Sequence, residues 1–197
     1  MECMNFPHAV DKPSAWVRRF ASLIPSGGEV LDLACGSGRH VRLLAGMGHA
    51  VVAVDRNAES LANAAGVGIN TLQMDLESSM NEQVAWPFSA NRFAGIVVTN
   101  YLHRPLFENI FASLAHNGVL IYETFAHGNE RFGKPSNPDF LLAPGELLKV
   151  TQVNPEHMLR IIAYEDGYID VPKPAMVQRI CAIKGGREIS MDRLRLI

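Results

Sequence analysis

The chain has 197 residues, of which 48% are hydrophobic and 19% charged, so we expect one globular domain that buries its own core. Its 18 basic and 20 acidic residues give a formal net charge of -2, which argues against nucleic acid or an anionic membrane as a partner. Cys3, Cys35 and Cys181 are scattered and form neither a disulfide framework nor a metal-spaced cluster. Because no apolar run is long enough to span a membrane, we expect a soluble, cytoplasmic protein.

The first part of the chain predicts a flexible lead-in, residues 1–10, followed by one helix. This helix has Asp11 as its N-cap and Pro13 in its first turn. Its apolar side chains recur on one face: Trp16, Val17, Phe20 and Ile24. The sequence Pro-Ser-Gly-Gly at 25–28 is a stop signal, and we expect the helix to end there.

An apolar stretch that contains an acid then leads into a turn of small residues. Val-Leu-Asp-Leu at 30–33 precedes Ala-Cys-Gly-Ser-Gly at 34–38, and an amphipathic segment continues to Gly48. This order predicts a buried strand, a tight loop and a helix. Gly36 and Gly38 allow a ligand to approach the backbone, and the helix start offers unpaired N–H groups and a positive dipole end. We therefore predict a nucleotide-type cofactor site at this loop.

Strands and helices alternate along the middle of the chain. The second strand covers residues 50–54 and ends at Asp55, and the third lies within residues 69–74 and ends at Asp75. A short helix at 58–65 connects them. The later elements are a polar loop at 77–91, a strand at 93–99, the segment Asn100–His103, a helix with Leu106, Ile110, Phe111 and Leu114, and a strand at 119–125.

The last third of the chain has a different pattern. Residues 127–144 are rich in Gly, Pro, Asn and charge, which predicts a lid or a binding loop. A short helix at 144–150 precedes two predicted strands, 159–170 and 175–183, that pair antiparallel. Residues 185–197 are expected to be a frayed tail.

The alternation of elements predicts the fold class. We expect a single α/β domain over residues 1–197, with a Rossmann-like, doubly wound, mostly parallel seven-stranded sheet and an antiparallel C-terminal edge strand. In such a sheet the carboxyl ends of the strands meet at one rim, where ligands bind. The polar residues expected to gather there are Asp32, Asp55, Asp75 and Asn100.

These residues resemble the motifs of the class I S-adenosylmethionine-dependent methyltransferases. Asp-Leu-Ala-Cys-Gly-Ser-Gly at 32–38 is similar to the family's first motif, in which Ala34 replaces a glycine. Asp55 is similar to the family's acid after the second strand, and Asp75-Leu76 to its acid after the third. The resemblance covers roughly the chain between Val30 and Phe125.

A second, looser resemblance concerns the later part of the chain. Tyr-Glu-Thr-Phe at 122–125 through Pro-Gly-Glu-Leu at 144–147 is similar to a bacterial subgroup that contains the tellurite-resistance methyltransferases. Both resemblances imply S-adenosylmethionine as cofactor and methyl transfer as activity. No metal site is predicted, because the histidines share no ligand spacing.

The resemblance implies roles for the rim residues. Asp55 would accept both ribose hydroxyls, Asp75 would accept from the adenine amine, and Asp32 would lie nearest the methionine ammonium. Arg56 or Trp86 would flank adenine, and Asn100 and Tyr101 would line the sulfonium side. The full predicted binding set is Asp32, Ala34, Cys35, Gly36, Gly38, Asp55, Arg56, Asp75, Leu76, Asn100 and Tyr101.

A small molecule is the expected methyl acceptor, because the chain has no basic stripe and little length beyond the core fold. The sulfonium is already an activated donor, so the protein mainly has to align the acceptor and exclude water. A general base is needed only when the acceptor loses a proton. Tyr101, His103 and Glu123 are the candidate catalytic residues. The sequence does not indicate an oligomeric state.

Two alternatives stay open at this point. A nicotinamide-dependent oxidoreductase would also use an acid after the second strand to bind a ribose. Two features argue against it: the turn at 36–41 lacks the third glycine of the dinucleotide fingerprint, and no tyrosine is followed four residues later by lysine. A cofactor-binding partner subunit without catalytic activity is the other alternative.

Overall fold

The computed structural model describes residues 12–77, 79–80, 83–84 and 86–185. The helices of this part are α1 Ala15–Phe20, α2 Arg39–Gly46, α3 Ala58–Ala64, α4 Phe107–Ser113 and α5 Glu146–Val153. The strands are β1 Glu29–Leu33, β2 Ala50–Asp55, β3 Ile69–Gln73, β4 Ser79–Met80, β5 Gln83–Val84, β6 Phe93–Thr99, β7 Leu114–Phe125, β8 Leu159–Ile169 and β9 Ala175–Lys184.

Seven of these strands form one sheet in the order β3-β2-β1-β6-β7-β9-β8. The first five pair parallel, and β9 is antiparallel to both of its neighbours. The predicted fold class is confirmed, with the added detail that β9 lies inside the sheet and β8 forms the edge. The strand order changes direction between β1 and β6, and ligands bind at such switch points in doubly wound sheets.

The central strands are largely apolar because helices cover both faces of the sheet, although β1 also contains the buried Asp32. Leu31 and Leu33 of β1 belong to the core packed against α4 and α5, whereas Val30 belongs to the core packed against α1, α2 and α3. Every residue of β6 is buried. The apolar runs that predicted these strands reflect this burial on both faces.

Helix α1 begins later than predicted. Its N-cap is Ser14, whose hydroxyl accepts a hydrogen bond from the Trp16 amide at 3.1 Å. Pro13 precedes this cap, so its predicted place in the first turn is wrong, and Asp11 lies outside the described residues. Trp16, Val17 and Phe20 are buried on α1 as predicted, but the helix ends at Phe20, and Ile24, also buried, follows a 3-10 turn at Ala21–Leu23.

Two boundaries in the middle of the chain also differ from the prediction. Leu114, predicted on a helix, is the first residue of β7, because α4 ends at Ser113. The polar loop at 77–91 contains the antiparallel hairpin of β4 and β5. Strands of two residues are too short for alternation to show in a sequence.

The segment 127–144 contains two 3-10 turns, Asn129–Arg131 and Pro138–Phe140. The predicted lead-in at 1–10 and the tail beyond residue 185 lie outside the described residues. Within the described part, no helix has both the length and the apolar character needed to cross a membrane.

Candidate active site

The loop between β1 and α2 has a backbone that small residues adopt most readily. Ala34, Gly36 and Gly38 have φ values of 54°, 53° and 78°, in the left-handed region that costs a residue with a Cβ roughly 1–2 kcal/mol. A Cβ on Gly38 would lie 2.6 Å from the Cβ of Ala64. Gly38 therefore allows α2 and α3 to approach each other. Ala34, which has a Cβ, adopts this left-handed conformation at a small cost in backbone strain.

Asp55, at the end of β2, connects this loop to the next one. Its Oδ2 accepts a hydrogen bond from the Gly36 amide at 2.8 Å, and its Oδ1 accepts one from the Asn57 amide at 2.9 Å. The two bonds fix the carboxylate in one orientation. Each carboxylate oxygen has a further lone pair for a ligand, so Asp55 is both a structural tie and a preorganised acceptor.

A first cavity of about 140 Å³ lies where β1, β2, β3 and β6 end. Six of its lining residues belong to the predicted binding set: Ala34, Asp55, Arg56, Asp75, Leu76 and Tyr101. The prediction missed the other three, Val54, Met74 and Glu77. Each of these is a sequence neighbour of a predicted residue: Val54 precedes Asp55, Met74 precedes Asp75, and Glu77 follows Leu76.

Tyr101 faces the acidic side of this first cavity. Burial raises the pKa of its phenol, and the Glu77 carboxylate, which accepts a hydrogen bond from the phenol, raises it further. The phenol is therefore a hydrogen-bond donor at neutral pH and a poor proton acceptor. This property disfavours Tyr101 as a general base and leaves it suited to orienting a ligand.

Asp32 is placed differently from the other two aspartates. Its side chain is completely buried below the start of α2, and it does not line the first cavity. Neither oxygen makes a hydrogen bond of ordinary geometry within the described residues. Burial raises the pKa of Asp32 to about 7, although the Arg39 charge and the Val41 amide lower it in part.

A second cavity, of about 330 Å³, lies where β6 and β7 end. Its walls come from the start of α1, the start of α2, the end of β7 and the connection between β8 and β9. Asn100, with φ of 55°, lines this cavity, whereas the next residue, Tyr101, lines the first one. The two cavities are therefore neighbours across one turn at the end of β6.

Glu123 is the predicted catalytic candidate that lines this second cavity. Its Oε1 accepts a hydrogen bond from the Ser14 hydroxyl at 2.8 Å, and its Oε2 accepts one from Arg179 at 3.2 Å. The Ser14 amide in turn donates to Nε2 of the buried His40 at 3.1 Å. Burial lowers the pKa of His40 to about 3, so this ring is neutral and fixes the start of α1 against the cavity.

The remaining predicted residues line neither cavity. Cys35, Gly36 and Gly38 form the loop itself, and His103 lies half-buried beyond Tyr101. Burial raises the pKa of the Cys35 thiol, so the residue is a small buried side chain without nucleophilic character. Within the described part of the chain, no three His, Cys, Asp or Glu residues are grouped as metal ligands.

Sequence reasoning missed the residues that build the second cavity, among them Ser14, Arg39 and Lys173. Ser14 carried a usable signal, because serine directly before an apolar helical stretch is a preferred N-cap. Lys173 carried none, because the position of its loop depends on how β8 and β9 join the sheet.

Comparison with known proteins agrees with this architecture. Residues 30–118 match the family described as "Methyltransferase domain". This match covers the strands and loops that form the first cavity and the end of β6 that separates the two cavities. No curated protein sequence matches the chain.

Solved structures with the same fold include proteins that are described as methyltransferases. One from Methanosarcina mazei, described as S-adenosylmethionine-dependent, is 13% identical, with a TM-score of 0.65 over 89% of this chain and 100% of that one. TehB from Haemophilus influenzae is 21% identical, with a TM-score of 0.64 over 84% of this chain and 60% of that one. Geranyl diphosphate C-methyltransferase from Streptomyces coelicolor A3(2) is 14% identical, with a TM-score of 0.62 over 87% and 77%.

Proposed function

We propose that this chain, whose residues 30–118 match the family described as "Methyltransferase domain", transfers a methyl group from S-adenosylmethionine to a small-molecule acceptor. One observation supports this most directly. Asp55 and Asp75 line the same cavity, at the ends of two neighbouring parallel strands, next to a loop of left-handed small residues. Carboxylates so placed can accept from a ribose and from an amine of one adenosyl group.

The residues present fit this cofactor. Asp55 keeps free lone pairs for the ribose hydroxyls, while its two backbone bonds hold it in place. Asp75, with Leu76, lines the part of the cavity assigned to adenine. We assign the methionine ammonium to the side of Asp32, whose buried carboxyl group would gain a cationic neighbour there.

The second cavity is our candidate for the acceptor site. It adjoins the first cavity at Asn100 and Tyr101, so a molecule in each would meet at the end of β6. When bound, S-adenosylmethionine supplies an activated methyl group. The chain's part is to align the acceptor and keep water away. Glu123 lines the acceptor side and is our candidate to orient an acceptor or receive its proton, ahead of Tyr101 and His103.

Calorimetric titration tests the cofactor assignment. We expect S-adenosylmethionine and its demethylated product, S-adenosylhomocysteine, to bind, and NAD not to bind. Binding of NAD with no binding of S-adenosylhomocysteine would replace the proposal with a nucleotide-dependent oxidoreductase. Binding of both S-adenosylmethionine and S-adenosylhomocysteine, without turnover of any acceptor, would favour a partner subunit without catalytic activity.

The Asp55→Asn variant tests the ribose assignment. We expect it to weaken S-adenosylhomocysteine binding by about tenfold or more, because two charge-assisted hydrogen bonds are lost. Glu156→Gln is the matched control, since Glu156 is exposed and lines neither cavity. Thermal unfolding of each variant without ligand separates lost binding from lost structure. Unchanged affinity in folded Asp55→Asn would remove the assignment.

A further inference from the structure

The second cavity carries an unbalanced set of charges. Four of its lining residues are cations from separate parts of the chain. Lys12 precedes α1, Arg18 lies on α1, Arg39 is at the start of α2, and Lys173 lies between β8 and β9. The described lining residues include one carboxylate, Glu123, so they have a formal charge of +3. The whole chain, by contrast, has a net charge of -2.

The carboxylate of Glu123 does not neutralise this set of cations. Arg179, which is not among the residues that line the cavity, donates to Glu123 at 3.2 Å and also to Glu165 at 2.8 Å. The Ser14 hydroxyl occupies the other oxygen of Glu123. Because Glu123 is already paired with Arg179, which does not line the cavity, the four cations dominate the electrostatic potential inside the cavity.

Most of the remaining wall is apolar, apart from Ser14 and Asn100. Eight of the lining residues have nonpolar side chains: Pro13, Ala15, Phe125, Ile169, Val171, Pro172, Ala175 and Val177. The Lys173 ammonium lies 5.8 Å from the ring centroid of Phe125, so cationic and apolar parts of the wall are adjacent. Such a surface is complementary to a molecule with an apolar body and one charged end.

We propose that the methyl acceptor is an organic anion, with a carboxylate or phosphate group held by the cations of the second cavity and an apolar body packed on Phe125 and Val177. The proposal rests on the assignment of this cavity as the acceptor site. The volume of about 330 Å³ is at the lower end of small-molecule pockets, which span roughly 300–1,000 Å³. A compact acceptor of this kind therefore fits, and a folded macromolecule does not.

The four cations differ in burial, and their roles differ accordingly. Lys12, Arg18 and Lys173 are exposed at the rim, whereas Arg39 is half-buried. Exposed charges attract an anion over a distance that salt shortens. A half-buried charge is screened less, so Arg39 defines the depth to which the anionic group enters. Arg39 also acts on Asp32, whose pKa it lowers.

A set of probes that share one body tests the charge preference. Hydrocinnamate, hydrocinnamamide and phenylpropylamine carry an anionic, a neutral and a cationic end on the same phenylpropyl body. We expect hydrocinnamate to bind at least about tenfold more tightly than the amide in low salt, with the amine weakest and the difference smaller in high salt. Equal affinities, or preference for the amine, would overturn the proposal. Phenylpropyl phosphate as a fourth probe assigns the head group, to phosphate if it binds more tightly than hydrocinnamate and to carboxylate if it does not.

A pair of double variants tests whether the preference belongs to this cavity. We expect Arg18→Gln/Lys173→Gln to reduce the preference for hydrocinnamate over its amide by about fivefold. The control, Lys149→Gln/Arg160→Gln, removes the same charge at exposed residues that line neither cavity, and should keep the preference. An equal loss in both double variants would show a general charge effect and overturn the proposal.

Titration of S-adenosylhomocysteine into each protein distinguishes the two levels of inference. If S-adenosylhomocysteine binds but the probes show no anion preference, the acceptor class is wrong and the methyltransferase assignment is unaffected. If S-adenosylhomocysteine does not bind the unmodified protein, the proposed function fails, and the acceptor proposal, which rests on it, fails with it. Unfolding temperatures of both double variants confirm that the binding data come from folded protein.

Discussion

At the scale of single residues, Asp32 has the most unusual environment in the site. Its carboxyl group is fully buried and makes no hydrogen bond of ordinary geometry within the described residues. A carboxylate in such a place loses its hydration without full compensation. The folded chain therefore holds a proton on Asp32 more strongly than the unfolded chain does, and the pKa rises from 3.8 to about 7.

This difference predicts a pH dependence of stability. Between about pH 4 and pH 7 the folded state binds more protons than the unfolded state, so the free energy of unfolding falls as the pH rises. Above about pH 7 the folded protein bears the full cost of burying the charged Asp32 carboxylate, which is a few kcal/mol. We therefore compare the free energy of unfolding of Asp32→Asn with that of the unmodified protein by urea unfolding. We expect this difference to favour Asp32→Asn more at pH 8 than at pH 5. Asp139→Asn, at an exposed position in the 3-10 turn Pro138–Phe140, is the control.

The asparagine amide does not titrate in this range, so its own effect on the free energy of unfolding is the same at pH 5 and pH 8. It therefore cancels when the two pH values are compared. If the difference in unfolding free energy between Asp32→Asn and the unmodified protein is the same at pH 5 and pH 8, the buried carboxyl group is not the source of the effect. Adding S-adenosylhomocysteine should reduce the gain at pH 8, since its ammonium would favour the charged carboxylate.

The three aspartates show how far sequence reasoning reaches at this scale. Each was predicted at the rim because it lies in or directly after a strand, and the structure brings Asp55 and Asp75 to one cavity. Asp32 lies within β1, and its side chain points below the loop. Strand position could be predicted from apolar runs, but the direction of a side chain at a strand end depends on the following loop. For the same reason Asn100 and Tyr101 face different cavities.

At the scale of elements, the contact between α2 and α3 depends on Gly38. We expect Gly38→Ala to destabilise the protein by roughly 1–3 kcal/mol, because its Cβ would overlap Ala64 and its φ is positive. Gly46→Ala, at the other end of α2, is the control, because a new Cβ there meets nothing within 4 Å. Thermal unfolding should show Gly46→Ala to be neutral or stabilising. Equal unfolding temperatures for the two variants would contradict this account.

The elements that the sequence predicted well are those whose signal is local. β2, β6 and α2 have apolar patterns of sufficient length, and glycines mark the ends of α2. Leu114 was assigned to the wrong element because an apolar residue at the junction of α4 and β7 suits either one. The choice is made by pairing, since Leu114 is in register with Phe93 of β6. Pairing across the sheet is not visible in one sequence.

At the scale of the whole molecule, the sheet order explains why there are two adjacent cavities. The chain builds β1, β2 and β3 in one direction and then places β6 on the other side of β1. The first cavity lies over the first group of strands, and the second lies over β6 and β7. The first could be predicted from strand-end acids. The second could not, because its walls are contributed by segments as far apart as Lys12 and Lys173.

The segment 127–144, predicted as a lid or acceptor loop, lines neither of these cavities. It is attached to the rim instead. Arg104 donates to both carboxylate oxygens of Glu146, at 2.7 and 3.0 Å, and to the carbonyls of Asp139 and Leu141. Leu142 also pairs with the backbone of Phe125 and His127. Whether the segment closes on a bound acceptor stays a prediction, but any closure would have to move with Arg104 or break these bonds.

Replacing Arg104 tests this attachment. Four hydrogen bonds to one planar guanidinium cannot be reproduced by a glutamine, and Glu146, with 15% of its side chain exposed, would lose its cationic partner. We expect Arg104→Gln to lower the local stability of the segment by about 1–2 kcal/mol, which corresponds to roughly tenfold faster hydrogen exchange at the Leu142 amide. Arg131→Gln, an exposed change within the same segment, should leave that exchange rate unchanged. If both variants exchange like the unmodified protein, backbone pairing alone holds the segment at the rim.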